Sequence, residues 1–160
     1  MRLKLQVDPR KCIGCRACTV ACKMEHQFPP YPTSPPQAEP KGPSFIRVFE
    51  GGPFIVDGKV GQSFRVVVCR QCTHPLCKEA CPLGAIFQTQ EGVLEVDRDI
   101  CTGCGLCKEA CPIGAPEFLP DGTVAMCDLC LHRVRDGKEP ICVAVCPSRC
   151  LQVLEIPWVG

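Results

Sequence analysis

Aromatic residues are scarce in this chain, with one Trp, one Tyr and seven Phe in 160 residues. The nominally apolar 46 % is inflated by seventeen cysteines, so an ordinary hydrophobic core would be thin. No run approaches the ~20 apolar residues that a bilayer-spanning helix needs. Neither charge sign dominates: 18 Lys and Arg stand against 17 Asp and Glu. With no basic stripe interleaved with aromatics, nothing points to nucleic acid. Histidine is limited to three residues, and no H-x3-5-H pair of the zinc-finger kind exists. There is no nucleophile elbow and no phosphate-cradling loop, so no catalytic residue is assigned and the chain is not expected to be an enzyme. The opening Met1 to Asp8 alternates apolar and polar residues and carries neither a secretory leader nor a twin-arginine signal, so the expected location is cytoplasmic.

Cysteine is what the chain has instead. Sixteen of its seventeen cysteines form four sets: Cys12, Cys15, Cys18, Cys22; Cys69, Cys72, Cys77, Cys81; Cys101, Cys104, Cys107, Cys111; and Cys127, Cys130, Cys142, Cys146. Sets one and three read C-x2-C-x2-C-x3-C, and the other two lengthen only the gap before the third cysteine. This is the spacing of ferredoxin-type [4Fe–4S] binding, in which a tight loop offers three soft thiolates to one cube. A disulfide framework is the first rival. It is opposed by the odd cysteine count and by the poor geometry of pairing cysteines two or three residues apart. Structural zinc is the second, and it does not ask for a third and fourth cysteine repeated in every set. The expected cofactors are therefore four [4Fe–4S] clusters. Loading turns the formal charge of +1 into roughly −7, because sixteen thiolates outweigh four oxidised cores. Metal-free protein should fold poorly.

The two central sets are a duplication. Cys77 to Ala85 and Cys107 to Ala115 share eight of nine residues, differing only at Leu83 and Ile113. In two-cluster ferredoxins the fourth cysteine of each set serves the other set's cluster. Applied here, one cluster takes Cys69, Cys72, Cys77 and Cys111, and its partner takes Cys101, Cys104, Cys107 and Cys81. The outer sets, paired by elimination, give Cys12, Cys15, Cys18 and Cys146, and then Cys127, Cys130, Cys142 and Cys22. That second pairing brings the two ends of the chain together. Gly14, Gly103 and Gly105 suit left-handed turns that let backbone N–H groups approach cluster sulfurs. Pro82, Pro112 and Pro147 follow the last cysteine of three sets, whereas Lys23 takes that place in set one. Lys23 reads as a solvated surface lysine, with a position near a cluster as the alternative. Cys150 is left over and reads as a small buried apolar side chain. His26, His74 and His132 read as surface or loop residues.

The coarse structure is a strand over Leu3 to Val7, a helix over Arg16 to His26, strands over Phe45 to Phe49 and Ser63 to Val68, and a closing strand over Leu151 to Ile156. Turns are expected at Gly51-Gly52-Pro53 and at Asp57-Gly58. Two hairpins follow the central sets, at Ile86 to Val96 and Phe118 to Met126. Short helices fall at Leu76–Ala80, Gly105–Ala110 and Ile141–Val145. Residues 28–43 hold seven prolines and should form an extended loop. The fold class is α+β, with two ferredoxin-like modules built around the clusters. The outer module is 1–27 plus 123–160, the inner module is 61–122, and 28–60 is a Pro-rich loop and hairpin connection.

Two stretches carry a more specific resemblance: Cys69 to Pro82, and Met126-Cys127-Asp128-Leu129-Cys130 followed by Arg133, Gly137, Pro140, Cys142, Cys146 and Pro147. These motifs resemble the four-cluster electron-transfer subunits of the dimethyl sulfoxide reductase family. The related polyferredoxin subunits of formate, hydrogenase-linked and tungsten aldehyde oxidoreductase systems are similar too. The resemblance implies modules related by an approximate two-fold axis, crossed ligation and a near-linear row of clusters; with all sixteen ligands intact, no [3Fe–4S] centre is expected. It implies a large catalytic subunit as partner, a tungsten- or molybdenum-pterin aldehyde oxidoreductase being favoured. A second electron-transfer protein or flavoprotein, or further copies of this chain, would complete the relay. Typical members extend further past set four, where they often pack on a membrane anchor, so a soluble assembly is expected. A stand-alone polyferredoxin, a hydrogenase- or formate dehydrogenase-linked carrier, and a cluster-carrying structural or assembly protein are the alternatives.

Overall fold

The computed structural model describes residues 1–28 and 43–157, so most of the Pro-rich stretch read as an extended loop lies outside the described residues. Strand β1 (Arg2–Val7) pairs antiparallel with the closing strand β8 (Leu151–Ile156), from Arg2 opposite Ile156 to Val7 opposite Leu151. The N- and C-terminal segments are thereby joined, as the sequence suggests. Helix α1 (Ala17–Glu25) follows the first cysteine loop. Three hairpins come next: β2 (Ile46–Val56) with β3 (Lys59–Val68), β4 (Ile86–Gln88) with β5 (Leu94–Val96), and β6 (Glu117–Phe118) with β7 (Val124–Ala125). Helices α2 (Leu76–Glu79), α3 (Leu106–Ala110), α4 (Leu131–Arg135) and α5 (Ile141–Ala144) are each about one turn long, as proline and glycine density dictates.

The β2–β3 hairpin departs from expectation. Gly51-Gly52-Pro53 does not end the strand, because a register shift between Gly51 and Phe54 absorbs the irregular residues as a bulge. The turn falls at Asp57-Gly58 alone, and β3 runs on to Val68, across the boundary expected at residue 60. Past the bulge the hairpin is exposed on both faces, presenting Phe54, Ile55, Val56 and Val60. Helix α4 is an element the sequence reading does not contain.

The helices pack in pairs. Helix α1 packs on α5, and α2 on α3, so helices from the first and last sets touch, as do helices from the two central sets. The interior is a thin aliphatic layer of Ile46, Val93, Leu94, Val124, Leu129, Leu131 and Leu151, threaded with cysteine. Nine of the sixteen set cysteines are buried. Leu151 joins the β1–β8 pair to this layer and is 1 % exposed. Leu151→Ala should therefore cost about 2–5 kcal/mol. The expected readout is a lower anaerobic melting temperature with iron content retained, and an unchanged melting temperature would mean that the metal sites alone hold the fold.

Candidate metal centres

One backbone turn recurs in all four cysteine loops. The residue two places after the first cysteine of each set is left-handed: Gly14 at φ 70°, Gln71 at 48°, Gly103 at 67° and Leu129 at 54°. That conformation reverses the backbone so that N–H groups face the sulfur behind them. The backbone N–H of Gln71 bonds the Cys69 sulfur and that of Leu129 the Cys127 sulfur. Glycine is required at Gly103 for a second reason, since a Cβ there would run into the Gly122 carbonyl of the β6–β7 turn. At Gly14 a Cβ would meet the Phe64 ring of β3. The sequence marks Gly14 and Gly103 but misses Gln71 and Leu129, which aligning the four sets at that position would have found.

Cysteines of different sets lie close to one another. Cys81, from set two, lines one cavity with Cys101, Cys104 and Cys107, the rest of the wall being mainly apolar. Cys111, from set three, is near enough to Cys69 and Cys77 to act on both electrostatically. Cys22, from set one, acts in the same way on Cys127 and Cys142, and Cys130 acts on Cys22. Cys12, Cys15 and Cys18 face one another, and Cys12 also acts on Cys150, whose sulfur lies 3.5 Å from that of Cys146. The charge of Cys69 further reaches Cys127, linking the central sets to set four.

Burial makes these thiols poor anions on their own. It pushes Cys22 and Cys69 up to about 12 and Cys18, Cys77 and Cys130 up to about 11, and raises Cys107, Cys142 and Cys127 as well, Cys127 strongly. Cys146 goes the other way: burial raises it, but hydrogen bonds from Ser148, Cys150 and the Leu151 N–H outweigh that. Further N–H donors stand ready, including Ala115 N–H 3.4 Å from the Cys111 sulfur, Phe45 N–H on Cys22 and Ile141 N–H on Cys130. Clustered soft donors that need a cationic partner, ringed by N–H groups and apolar walls, fit iron–sulfur cubes. Each sulfur's proton must leave as such a group assembles.

Several neighbouring residues differ from expectation. Lys23 is 4 % exposed and not solvated; where a proline would end the helix, it continues α1 into the interior, and burial lowers its pKa. His26 is not a plain surface residue. Its ring stacks on Phe28, meets Phe45 edge-on at 4.9 Å, and puts Nε2 3.7 Å from the Cys130 sulfur and 3.8 Å from Asp128. His74 and His132 are exposed, and His132 bonds Glu25 at 2.7 Å. Cys150 is buried, as expected.

Comparison with known proteins agrees with the donor chemistry. A family described as "4Fe-4S dicluster domain" matches residues 61–156, and one described as "4Fe-4S binding domain" matches residues 4–27. Over 154 residues the sequence is 36 % identical to YnfG of Escherichia coli, a probable anaerobic dimethyl sulfoxide reductase subunit, covering 91 % of this protein and 70 % of that one. It belongs to the iron–sulfur subunits of the dimethyl sulfoxide reductase family. The B subunit of the anaerobic dimethyl sulfoxide reductase of Escherichia coli is 37 % identical over 91 % of this protein and 69 % of its own length. The thiosulfate reductase electron transfer subunit PhsB of Salmonella typhi is 34 % identical over 96 % of this protein and 79 % of its own length. As a member of this family the protein is a non-catalytic electron-transfer subunit that carries [4Fe–4S] clusters. No helix among the described residues is long and apolar enough to cross a membrane.

The loop turn can be tested directly. Gly103→Ala should lower iron by about four per polypeptide, one cube. Gly84→Ala, which is also left-handed at φ 65° but has nothing within 4 Å of the added Cβ, should leave iron unchanged. Equal iron in both variants would mean that the Gly122 carbonyl simply moves aside.

Proposed function

We propose that this protein passes electrons one at a time through four [4Fe–4S] clusters, between a molybdenum- or tungsten-pterin catalytic subunit and a second redox protein. The ligand sets in this reading are crossed: Cys12, Cys15, Cys18 with Cys146; Cys127, Cys130, Cys142 with Cys22; Cys69, Cys72, Cys77 with Cys111; and Cys101, Cys104, Cys107 with Cys81. The single observation carrying it is the drawing of Cys22, Cys81 and Cys111 toward other sets, most directly Cys81 in the cavity lined by Cys101, Cys104 and Cys107. The packing of α1 on α5 and of α2 on α3 supports two modules, 1–27 with 123–160 and 61–122, related by an approximate two-fold axis.

When bound, each cluster supplies a centre that takes up and returns one electron. The protein's own part is electrostatic. Backbone N–H dipoles aimed at sulfur stabilise the added negative charge, and burial of nine ligands keeps water from them. The proximity of Cys69 to Cys127 supports a continuous row in the order set one, set four, set two, set three. Cys15 and Cys104, at the two ends of that row, are exposed and suit contact with partners.

An aldehyde oxidoreductase is the catalytic partner that the sequence resemblance favours. A second reading, a terminal reductase, draws support from relatives named as dimethyl sulfoxide and thiosulfate reductase subunits. Anaerobic purification from the source cell should yield a large subunit in stable complex, containing tungsten or molybdenum, with ~16 irons on this polypeptide. Oxidation of aldehydes or reduction of sulfoxides and thiosulfate by that complex separates the two readings, and recovery of the protein alone would favour a diffusing ferredoxin.

The crossing has its own test. Cys69→Ser with Cys111→Ser should lose about as much iron as either single change, because both ligands serve one cluster. Cys101→Ser with Cys111→Ser should lose about twice as much. The reverse pattern would show uncrossed ligation.

A further inference from the structure

Gln71 is fully buried, polar, and belongs to neither the cysteine sets nor an aliphatic core. It sits between Cys69 and Cys72 in the left-handed loop position, and every polar group it has is engaged. Its backbone N–H bonds the Cys69 sulfur. Its carbonyl accepts from the Arg2 guanidinium, which also donates to Thr73 Oγ1 at 2.6 Å. Its side-chain Nε2 donates to the Cys127 carbonyl at 2.6 Å, and Oε1 accepts from the Leu94 N–H at 2.8 Å. One residue therefore ties the loop of set two to the first cysteine of set four, to β1 and to the β4–β5 hairpin.

A buried glutamine that only filled space would leave its amide partly unpaired, which is costly, so full pairing to two separate segments marks a fixed separation. The two segments carry the first cysteines of sets two and four, joined by the hydrogen bond from Gln71 to the Cys127 carbonyl, and the charge of Cys69 reaches Cys127. We propose that Gln71 is the positioning residue for electron passage between the two modules. Its side chain sets the distance between the iron site opened by Cys69 and the one opened by Cys127, and it supplies a bonded path across, from Cys69 along the backbone to Gln71 and over one hydrogen bond to Cys127. This rests on the relay reading proposed above. It adds that the crossing point between modules, and not a loop end, is where a single side chain governs the rate.

The test uses the anaerobically purified, iron-loaded protein and two variants of similar volume. Gln71→Leu removes both side-chain hydrogen bonds. Gln71→Glu keeps an acceptor for Leu94 but turns a carboxylate toward the Cys127 carbonyl. Iron content, the magnetic interaction between reduced centres by electron paramagnetic resonance, and the rate at which reducing equivalents from a one-electron donor redistribute among the centres after rapid mixing are read together. The expectation is unchanged iron in at least one variant, with a weakened magnetic interaction and a slowed redistribution in that same variant. Wild-type interaction and rate in an iron-replete variant would overturn the proposal. Loss of iron in both variants would also overturn it, reducing Gln71 to a fold determinant. If the wild-type protein itself shows no redistribution between modules, the relay reading fails and this inference falls with it.

Discussion

Thiols are forced into an interior too dry to ionise them, and the rest of the structure depends on resolving that conflict. Nine set cysteines are buried, and burial pushes the thiols of Cys22 and Cys69 up to about 12. Without a cation they must stay protonated, and weak sulfur hydrogen bonds then replace strong bonds to metal. Iron–sulfur cubes reverse the balance by holding thiolates directly, so assembly of the metal sites and formation of the core are one event. The aliphatic layer from Ile46 to Leu151 is too thin to do this alone, which is why the element lengths are so short and the loops so constrained. Four two-stranded sheets with helices of one to three turns form a framework for loops, not a core that happens to carry metal.

The loops reuse one solution. A left-handed residue before the second cysteine recurs although it is glycine in only two sets. Gln71 and Leu129 accept the cost of that conformation because burial and long-range bonds over-determine it. At Gln71 those bonds run to Arg2, Leu94 and Cys127, and Leu129 is itself 1 % exposed. Divergence after duplication could thus change the residue while keeping the turn, provided each new side chain found tertiary support.

Local repetition of this kind is what a sequence displays openly. Cysteine spacing and the repeated Cys-Lys-Glu-Ala-Cys-Pro string are local patterns, and they place the loops, the short helices and the hairpins after sets two and three. The meeting of β1 and β8 is anticipated by the pairing of the first and last cysteine sets, which brings the two ends of the chain together. What local pattern cannot carry is the choice between two tertiary outcomes for one residue. Gly51-Gly52-Pro53 reads as a stop, but a bulge lets β2 run through it. Lys23 reads as solvent-facing, but the missing proline extends α1 so that this side chain turns inward. Helix α4 hides in the interval between Cys130 and Cys142, where a lengthened cysteine gap looks like plain loop.

That same interval makes the four sites unequal. The second cysteine is exposed in sets one, two and three, at Cys15, Cys72 and Cys104, but the corresponding Cys130 is buried. It is the N-cap of α4, and the helix it begins turns Arg133 and His132 onto Glu25 of α1. Beneath that pair, His26 lies against Phe28 and Phe45 with its ring nitrogen beside the Cys130 sulfur. The extra residues of set four thus form a short helix that, with Glu25 and His26 of the first set, covers the Cys130 sulfur. The lengthened gap before Cys142, read from the sequence as a variation in spacing, holds in the fold the helix that begins at Cys130, whose thiol is buried where those of Cys15, Cys72 and Cys104 are exposed.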